Sequence, residues 1–273
     1  MRTYQATSPG DVDGLATDHL RDRFLVTDLM PAGEVALAHS HHDRLVIGGV
    51  RTAGGDRVAL PNPPELRAGF FLERRELGVV NIGEPGAVSV DGTAYELGRK
   101  ECLYVGRGAR EVTFGGDGAA FYLVSTRAHA EHPTRAATLA EAEPVLLGSR
   151  EESNERTIYK YIHVDGIQSC ELVLGVTVLE PGSMWNTLPC HVHDRRTEVY
   201  FYFDLAADDR VVHLMGRPDA TRNLIVAGEQ AVISPPWSVH CGFGTRSYAF
   251  VWAMGGENQA YQDVEVVATR DLR

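Results

Sequence analysis

Short runs of β-branched, aromatic and aliphatic residues, each cut off by Gly, Pro, Asn or Asp, recur along most of the chain, and this rhythm narrows the fold more than any other feature. Glu76-Leu77-Gly78-Val79-Val80-Asn81-Ile82-Gly83 is one such run, and Ala87 to Gly98 contains two more with Asp91-Gly92 between them. A two-residue hairpin loop needs positive φ at both positions, which Asp-Gly supplies at low steric cost, so a hairpin is predicted at Asp91-Gly92. Many short strands with turn signals at close intervals point to an all-β chain built as sandwiches or barrels. Helices should be few and short: Val12 to Asp22 has the spacing of one, and Thr138 to Glu143 of another, with Thr138 capping Glu141 three residues on.

At 273 residues the chain suits two domains. From Pro133 to Glu155 the composition turns to Ala, Glu, Pro, Gly and Ser, as linkers do, which places a boundary near residue 150 and divides the chain into 1–150 and 151–273. An internal repeat supports two similar halves. Phe70 to Val79 lies on His191 to Tyr200 without a gap, and Gly98 to Arg110 lies on Gly228 to His240, again without a gap.

The formal net charge of -11 argues against a surface that tracks nucleic-acid phosphates, since such surfaces need clustered Lys and Arg. Cys102, Cys170, Cys190 and Cys241 stand far apart, form no C-x-x-C pair and read as reduced thiols. The first ten residues lack the apolar core of a secretory signal, and no run is long enough to span a membrane, so a cytoplasmic protein is expected.

The chemistry concentrates in the second half. His191-x-His193-x4-Glu198 precedes Val199-Tyr200-Phe201-Tyr202-Phe203, a run with strand composition. Residues two apart on a strand share a face, so His191 and His193 can converge on one point, with Glu198 arriving after a turn at Arg195-Arg196-Thr197. His240, after Pro235-Pro236-Trp237-Ser238-Val239, is the fourth expected ligand. Three imidazoles and a carboxylate suit one divalent ion: zinc, iron, manganese or nickel. In the repeat alignment Phe70, Leu72, Leu77 and Arg110 occupy the four ligand positions of the first half, so that half is expected to bind no metal.

The spacing His191-x-His193-x4-Glu198, with Gly228 and Pro235-x-Trp237-x-x-His240, resembles the two cupin motifs, with Trp237 and Gly244 departing from the usual glycine and asparagine. Longer strings, from Phe70 to Gly78, Trp185 to His191, Glu198 to Phe203, Gln230 to Pro235 and Gly256-Glu257-Asn258-Gln259, resemble the 5-keto-4-deoxyuronate isomerase family over nearly the whole chain. That resemblance implies two cupin-like barrels, with 1–150 metal-free and 151–273 metal-binding. It also implies zinc as the ion, a homohexamer, and aldose–ketose isomerisation of a small uronate in pectin breakdown: 4-deoxy-L-threo-5-hexosulose uronate to 3-deoxy-D-glycero-2,5-hexodiulosonate. A metal-dependent dioxygenase and a non-enzymatic sugar-acid-binding cupin are the competing readings.

Isomerisation needs a proton carrier, for which Glu257, Lys160, Tyr200 and Tyr202 are candidates with none preferred. A substrate carboxylate favours a guanidinium, and Arg195, Arg196 and Arg222 are the candidates, although strand alternation turns only one of the adjacent pair inward. The cluster His39-Ser40-His41-His42 has no partner at ligand spacing and is read as a contact or surface feature.

Overall fold

The computed structural model describes every residue except Asp56 and residues 258–262, so the Asn258-Gln259 end of one family-like string lies outside the described residues. Strands dominate, as the rhythm of short apolar runs requires. Two seven-stranded sheets carry the architecture. The order in the first is Arg2–Tyr4, Ala36–Ser40, Val46–Arg51, Ala120–Arg127, Arg75–Asn81, Cys102–Val105 and Arg135–Ala137. In the second it is Val145–Leu147, Arg156–Ile162, Val173–Leu179, Ala249–Gly256, Arg196–Phe203, Gln230–Ser234 and Leu25–Val26. Strands matched by the repeat hold corresponding places: Arg75–Asn81 and Arg196–Phe203 each lie between a long antiparallel partner and a shorter one.

A smaller sheet faces each large one. Val58–Ala59, Val112–Gly115, Gly86–Val90 and Thr93–Leu97 accompany the first, and Ala220–Val226, Val211–Arg217 and Cys241–Gly244 the second. The predicted hairpin is present: Val90 pairs with Thr93 across Asp91 (φ 47°) and Gly92 (φ 85°).

The alternation of side chains along the long strands creates three large apolar cores among the described residues, beside a small fourth cluster of Cys190, Val192, Val239 and Cys241. One lies between the two large sheets, where Ile47, Val80, Tyr122 and Val124 meet Leu174, Val199, Phe201 and Val251. Tyr122 and Phe201 stack there with ring centroids 4.1 Å apart. The other two fill the barrels: Val79, Val88, Phe114 and Leu123 in the first, and Tyr202, Met215, Val232 and Phe250 in the second.

Two carboxylates pin the barrels together. Buried Glu76, on the strand Arg75–Asn81, accepts hydrogen bonds from Thr126 Oγ1 and the Glu171 and Leu172 amides on one oxygen, and from the Tyr104 hydroxyl and the Cys170 amide on the other. These amides belong to the loop that feeds Val173–Leu179 of the second sheet. In the opposite direction, Asp43 of the first half accepts from the Thr197 amide (2.8 Å) and hydroxyl (2.6 Å) on the strand that carries Glu198.

The helical expectations need correction. Val12 to Asp22 is not one helix: Pro9–Val12 and Thr17–Phe24 are separated at Asp13-Gly14, where Gly14 adopts φ 80°. A right-handed helix cannot pass through that conformation. The i, i+4 pair Leu20 and Phe24 then seats the second helix against the core of the second barrel, and Leu25–Val26 continues into its large sheet. Thr138 to Glu143 forms a single turn, with the capping contacts between Thr138 and Glu141 made but no helix after them. Glu143 lies at φ 46° and Pro144 follows, both of which stop propagation. The segment read as a linker also holds edge strands, Arg135–Ala137 on the first sheet and Val145–Leu147 on the second.

Glu76→Ala should lower the unfolding free energy by roughly 3 kcal/mol or more, because five donors, three of them in buried hydrogen bonds, lose their acceptor together. Urea denaturation measures this as a lower midpoint at unchanged slope.

Candidate metal centre

The strand Arg196–Phe203 explains why the ligands meet. Its pleat sends Val199, Phe201 and Phe203 into the core between the sheets and leaves Glu198 and Tyr200 on the other face, inside the second barrel. His191 comes from the two-residue strand His191–Val192, paired with Glu265–Val266, and His193 follows directly. His240 stands immediately before Cys241–Gly244 of the small sheet.

The four side chains expected as ligands are brought together, and their ligating atoms all lie within 4.8 Å of one another. His193 Nε2 and His240 Nε2 lie 2.8 and 2.7 Å from Glu198 Oε2. His191 Nε2 lies 3.1 Å from the Nε2 atoms of both other histidines. Among the described residues this is the one group of three or more His, Cys, Asp or Glu side chains so arranged.

The donor set fits a divalent ion on its own chemistry. All three imidazoles turn Nε2 toward the common point. The far nitrogens of two of them meet main-chain carbonyls, His240 Nδ1 with Ser238 O at 3.1 Å and His193 Nδ1 with Asp263 O at 3.3 Å. A proton placed on Nδ1 by that network leaves the Nε2 lone pair for the ion, the usual arrangement behind a metal-bound histidine. Edges of about 3 Å also suit adjacent positions around a centre whose bonds are about 2 Å long.

Electrostatics point the same way. Burial, with the neighbouring His240 charge, pushes His191 down to about 3, so it is neutral at physiological pH. Burial alone would raise Glu198, but His240 and His193 outweigh it and hold the carboxyl well below its ordinary range. Burial likewise opposes charge on His240, yet the Glu198 carboxylate overcomes it and raises that histidine. An ion entering the group therefore competes with a proton held between His240 and Glu198.

A cavity of about 310 Å³ opens from the ligands, lined by His191, His193, Glu198 and Tyr200 at one end. Phe250, Trp252, Met254 and Ile158 form apolar walls, Thr177 and Thr187 are the threonines of the lining, and Arg156 is its basic residue. Trp252 donates through Nε1 to Thr177 Oγ1 (3.1 Å), and its ring crosses Gly175, where an added Cβ would stand 2.1 Å from Trp252 Cζ2. Only glycine admits the indole at that point on the wall.

The other sequence candidates are scattered. Of the four proton-carrier candidates, Tyr200 lines the cavity, with its hydroxyl 3.3 Å from Thr187 Oγ1. Tyr202 lies deeper, wholly buried, with its hydroxyl 2.7 Å from His213 Nδ1. Lys160 faces a separate polar recess with Glu143, His163 and Asp165, and Glu257 is exposed.

The arginines divide as alternation requires, but none of the three lines the cavity. Arg196 is the inward one, and its Nη2 donates to Asp263 O (3.0 Å) behind His193. Arg195 is exposed beside Asp263, and Arg222 donates to the Val12 and Leu15 carbonyls of the N-terminal segment. Arg156 and Thr177 escaped the sequence reading because they sit on strands distant in sequence, with no motif to mark them.

At the positions aligned with the ligands, the first barrel carries Leu72 and Leu77 in its apolar interior, while the Arg110 guanidinium lies over the Phe70 ring at 4.7 Å. Positions matched to His191 and His240 are thus in contact there too, without ligand atoms. In the His39–His42 cluster, His42 Nε2 accepts from the Thr7 amide at 3.1 Å, and the His39 and His41 rings meet edge to face.

Residues 35–269 match the sequence model of the KduI/IolB family. The chain is 52% identical to the 4-deoxy-L-threo-5-hexosulose-uronate ketol-isomerase of Halalkalibacterium halodurans over 277 residues, covering 100% of each. It is 50% identical to the protein of that name from Kineococcus radiotolerans over 280 residues, again covering 100% of each. Among solved structures, an IolB-like protein from Salmonella typhimurium superposes with a TM-score of 0.67 at 13% identity, over 82% of this chain and 87% of that one. Bacillus subtilis oxalate decarboxylase, described with Mn(II) centres, superposes with a TM-score of 0.57 at 13% identity, over 82% and 71%. Likeness at that distance speaks for the fold, a pair of cupin-like barrels.

Two outcomes follow from the proton balance. Ion binding should displace the proton shared by His240 and Glu198, so that proton release per ion grows as the pH is lowered, measured as buffer-dependent calorimetric enthalpy. His191 and His213, both held near 3 chiefly by burial, bind fewer protons folded than unfolded between about pH 6.5 and 3. The metal-free protein should therefore lose stability as pH falls through that window, which denaturation midpoints at stepped pH will read.

Proposed function

The chain belongs to the KduI/IolB family, and from that premise we propose that its metal centre and cavity are the active site of a ketol-isomerase that converts 4-deoxy-L-threo-5-hexosulose uronate to 3-deoxy-D-glycero-2,5-hexodiulosonate. The observation that carries the site assignment is the convergence of three Nε2 atoms and one carboxylate oxygen in a group whose His191, His193 and Glu198 line a cavity sized for a six-carbon acid.

Moving a carbonyl from C1 to C2 shifts one proton from C2 to C1 and another from O2 to O1, with negative charge passing through the two oxygens between. A divalent ion held by His191, His193, Glu198 and His240, in our reading zinc, supplies a Lewis acid that polarises the carbonyl and stabilises that charge. Glu198 and His191 enter without a bound proton, leaving their lone pairs for the ion. Phe250, Trp252 and Met254 keep bulk water from the reacting carbons, which strengthens each polar contact in the cavity. We assign to Tyr200 the relay of the hydroxyl proton from O2 to O1, in which its hydroxyl gives one proton and takes another; it lines the cavity with Thr187 as its hydrogen-bond partner.

We extend the proposal to organisation and setting. Residues 1–150 supply most of the metal-free barrel and 151–273 most of the metal-binding one, with Thr17–Phe24, Leu25–Val26 and Val145–Leu147 crossing to the second. The working state is a homohexamer, a reading supported by the exposed apolar side chains of Val145, Leu146, Leu147 and Val266. Among the described residues no helix is long and apolar enough to cross a membrane, and all four cysteines are free thiols. We place the protein in the cytoplasm, in the breakdown of pectin-derived uronates, acting on a small molecule and not on nucleic acid.

NMR of freshly generated substrate should show conversion by the metal-loaded protein at the same rate with and without oxygen, and none after chelation until a divalent ion returns. Oxygen-dependent turnover would favour a dioxygenase instead. Tyr200→Phe should lower kcat by about 100-fold or more with metal content unchanged. Light scattering should give a mass six times 29.9 kDa.

A further inference from the structure

We infer that Arg156 is the carboxylate anchor of the cavity and sets the preference for an acidic sugar over a neutral one. This inference rests on the ketol-isomerase reading and adds to it the residue that recognises the end of the substrate remote from the metal.

The argument begins with what the cavity contains. Apart from the ligands, its described lining consists of aliphatic and aromatic residues, two threonines, Tyr200 and one arginine. A carboxylate taken from water into such walls loses hydration worth several kcal/mol unless a cation or several donors replace it. Thr177 is already engaged by the Trp252 indole, and Thr187 lies beside Tyr200. Arg156 is the cationic side chain on the described lining, and a guanidinium grips a carboxylate with two parallel N–H donors, which an ammonium cannot do.

Position supports the same role. Arg156 and Ile158 lie two apart on the strand Arg156–Ile162, so both turn toward the cavity. Ile158 pairs across to Thr177, Thr177 to Phe250 and Phe250 to Tyr202, whereas Arg156 lies one row further from Glu198, opposite Leu179. Among the lining residues of its sheet, Arg156 thus stems from the row furthest from Glu198 along the strands, while the reacting C1 and C2 oxygens belong at the ligands. A six-carbon chain carries its aldehyde and its carboxylate at opposite termini, which matches that polarity.

The anchor is also preorganised. Arg156 Nη1 donates to the Asn154 carbonyl at 2.7 Å. Asn154 in turn accepts from the Ser149 amide through Oδ1 (2.9 Å) and donates its own amide to the Ser149 carbonyl (3.2 Å), so the loop holding the arginine is stapled to itself. A fixed fork needs less ordering on binding than a freely rotating one.

The test measures binding and turnover on the same metal-loaded samples of wild type, Arg156→Lys and Arg156→Met, with metal content and the thermal midpoint recorded for each. Two ligands are compared: the deoxyuronate and its neutral analogue in which CH2OH replaces the carboxylate. The expected result is a KM and Kd for the uronate raised about 10- to 100-fold in Arg156→Met and less in Arg156→Lys. Wild type and Arg156→Met should bind the neutral analogue alike, and metal content should be unchanged. Wild-type KM and Kd for the uronate in Arg156→Met, or an equal loss for both ligands, would overturn the inference. If wild type binds the uronate without isomerising it, the enzymatic reading fails, while the calorimetric comparison still decides whether Arg156 holds the carboxylate.

Discussion

The pleat of a single strand, Arg196–Phe203, is the constraint on which the rest of this molecule depends. Its two faces do unrelated work because successive side chains must point opposite ways. Val199, Phe201 and Phe203 lock the second barrel onto the first, and Glu198 and Tyr200 face the cavity. A slip of one residue in register would send the carboxylate into the core between the sheets and an aromatic ring into the metal site. Eight consecutive buried residues on this strand make such a slip prohibitive.

Burial then fixes the chemistry. A carboxylate and three imidazoles crowded into a dry interior are a poor arrangement unless something positive joins them, and here the shared positive charge is either a proton or an ion. The carbonyls of Ser238 and Asp263 hold the ring orientation from behind, so the site is shaped before an ion arrives. Arg196 reinforces this from beneath by bonding the same Asp263 carbonyl. Its proximity to the ligands in sequence reflects that supporting position and not contact with the cavity.

The first barrel is more than ballast. Through Asp43 it holds Thr197, the residue beside Glu198, and through Glu76 it holds the loop entering Val173–Leu179, which supplies Thr177 and Gly175 to the cavity wall. The two carboxylates act in opposite directions across one interface. The two halves thus divide the work, one carrying the convergent donor set and the other positioning its strands.

Much of this could be read from the residues in order. Strand rhythm specified an all-β chain, Asp91-Gly92 a hairpin, and His191, His193, Glu198 and His240 a convergent donor set, because period-two alternation and ligand chemistry are local properties. The family-like strings added the reaction. What the sequence alone left open was decided by long-range strand pairing: that Tyr200 and not Lys160 or Tyr202 reaches the cavity, that Arg222 is spent on the N-terminal segment, and that Arg156 arrives from a strand far from every motif. Helix ends at Gly14 and Pro144 were visible as residues, yet their effect depended on backbone angles at Gly14 and Glu143. Which side chains share a cavity is set by how sheets close on themselves, and closure joins residues that no local spacing relates.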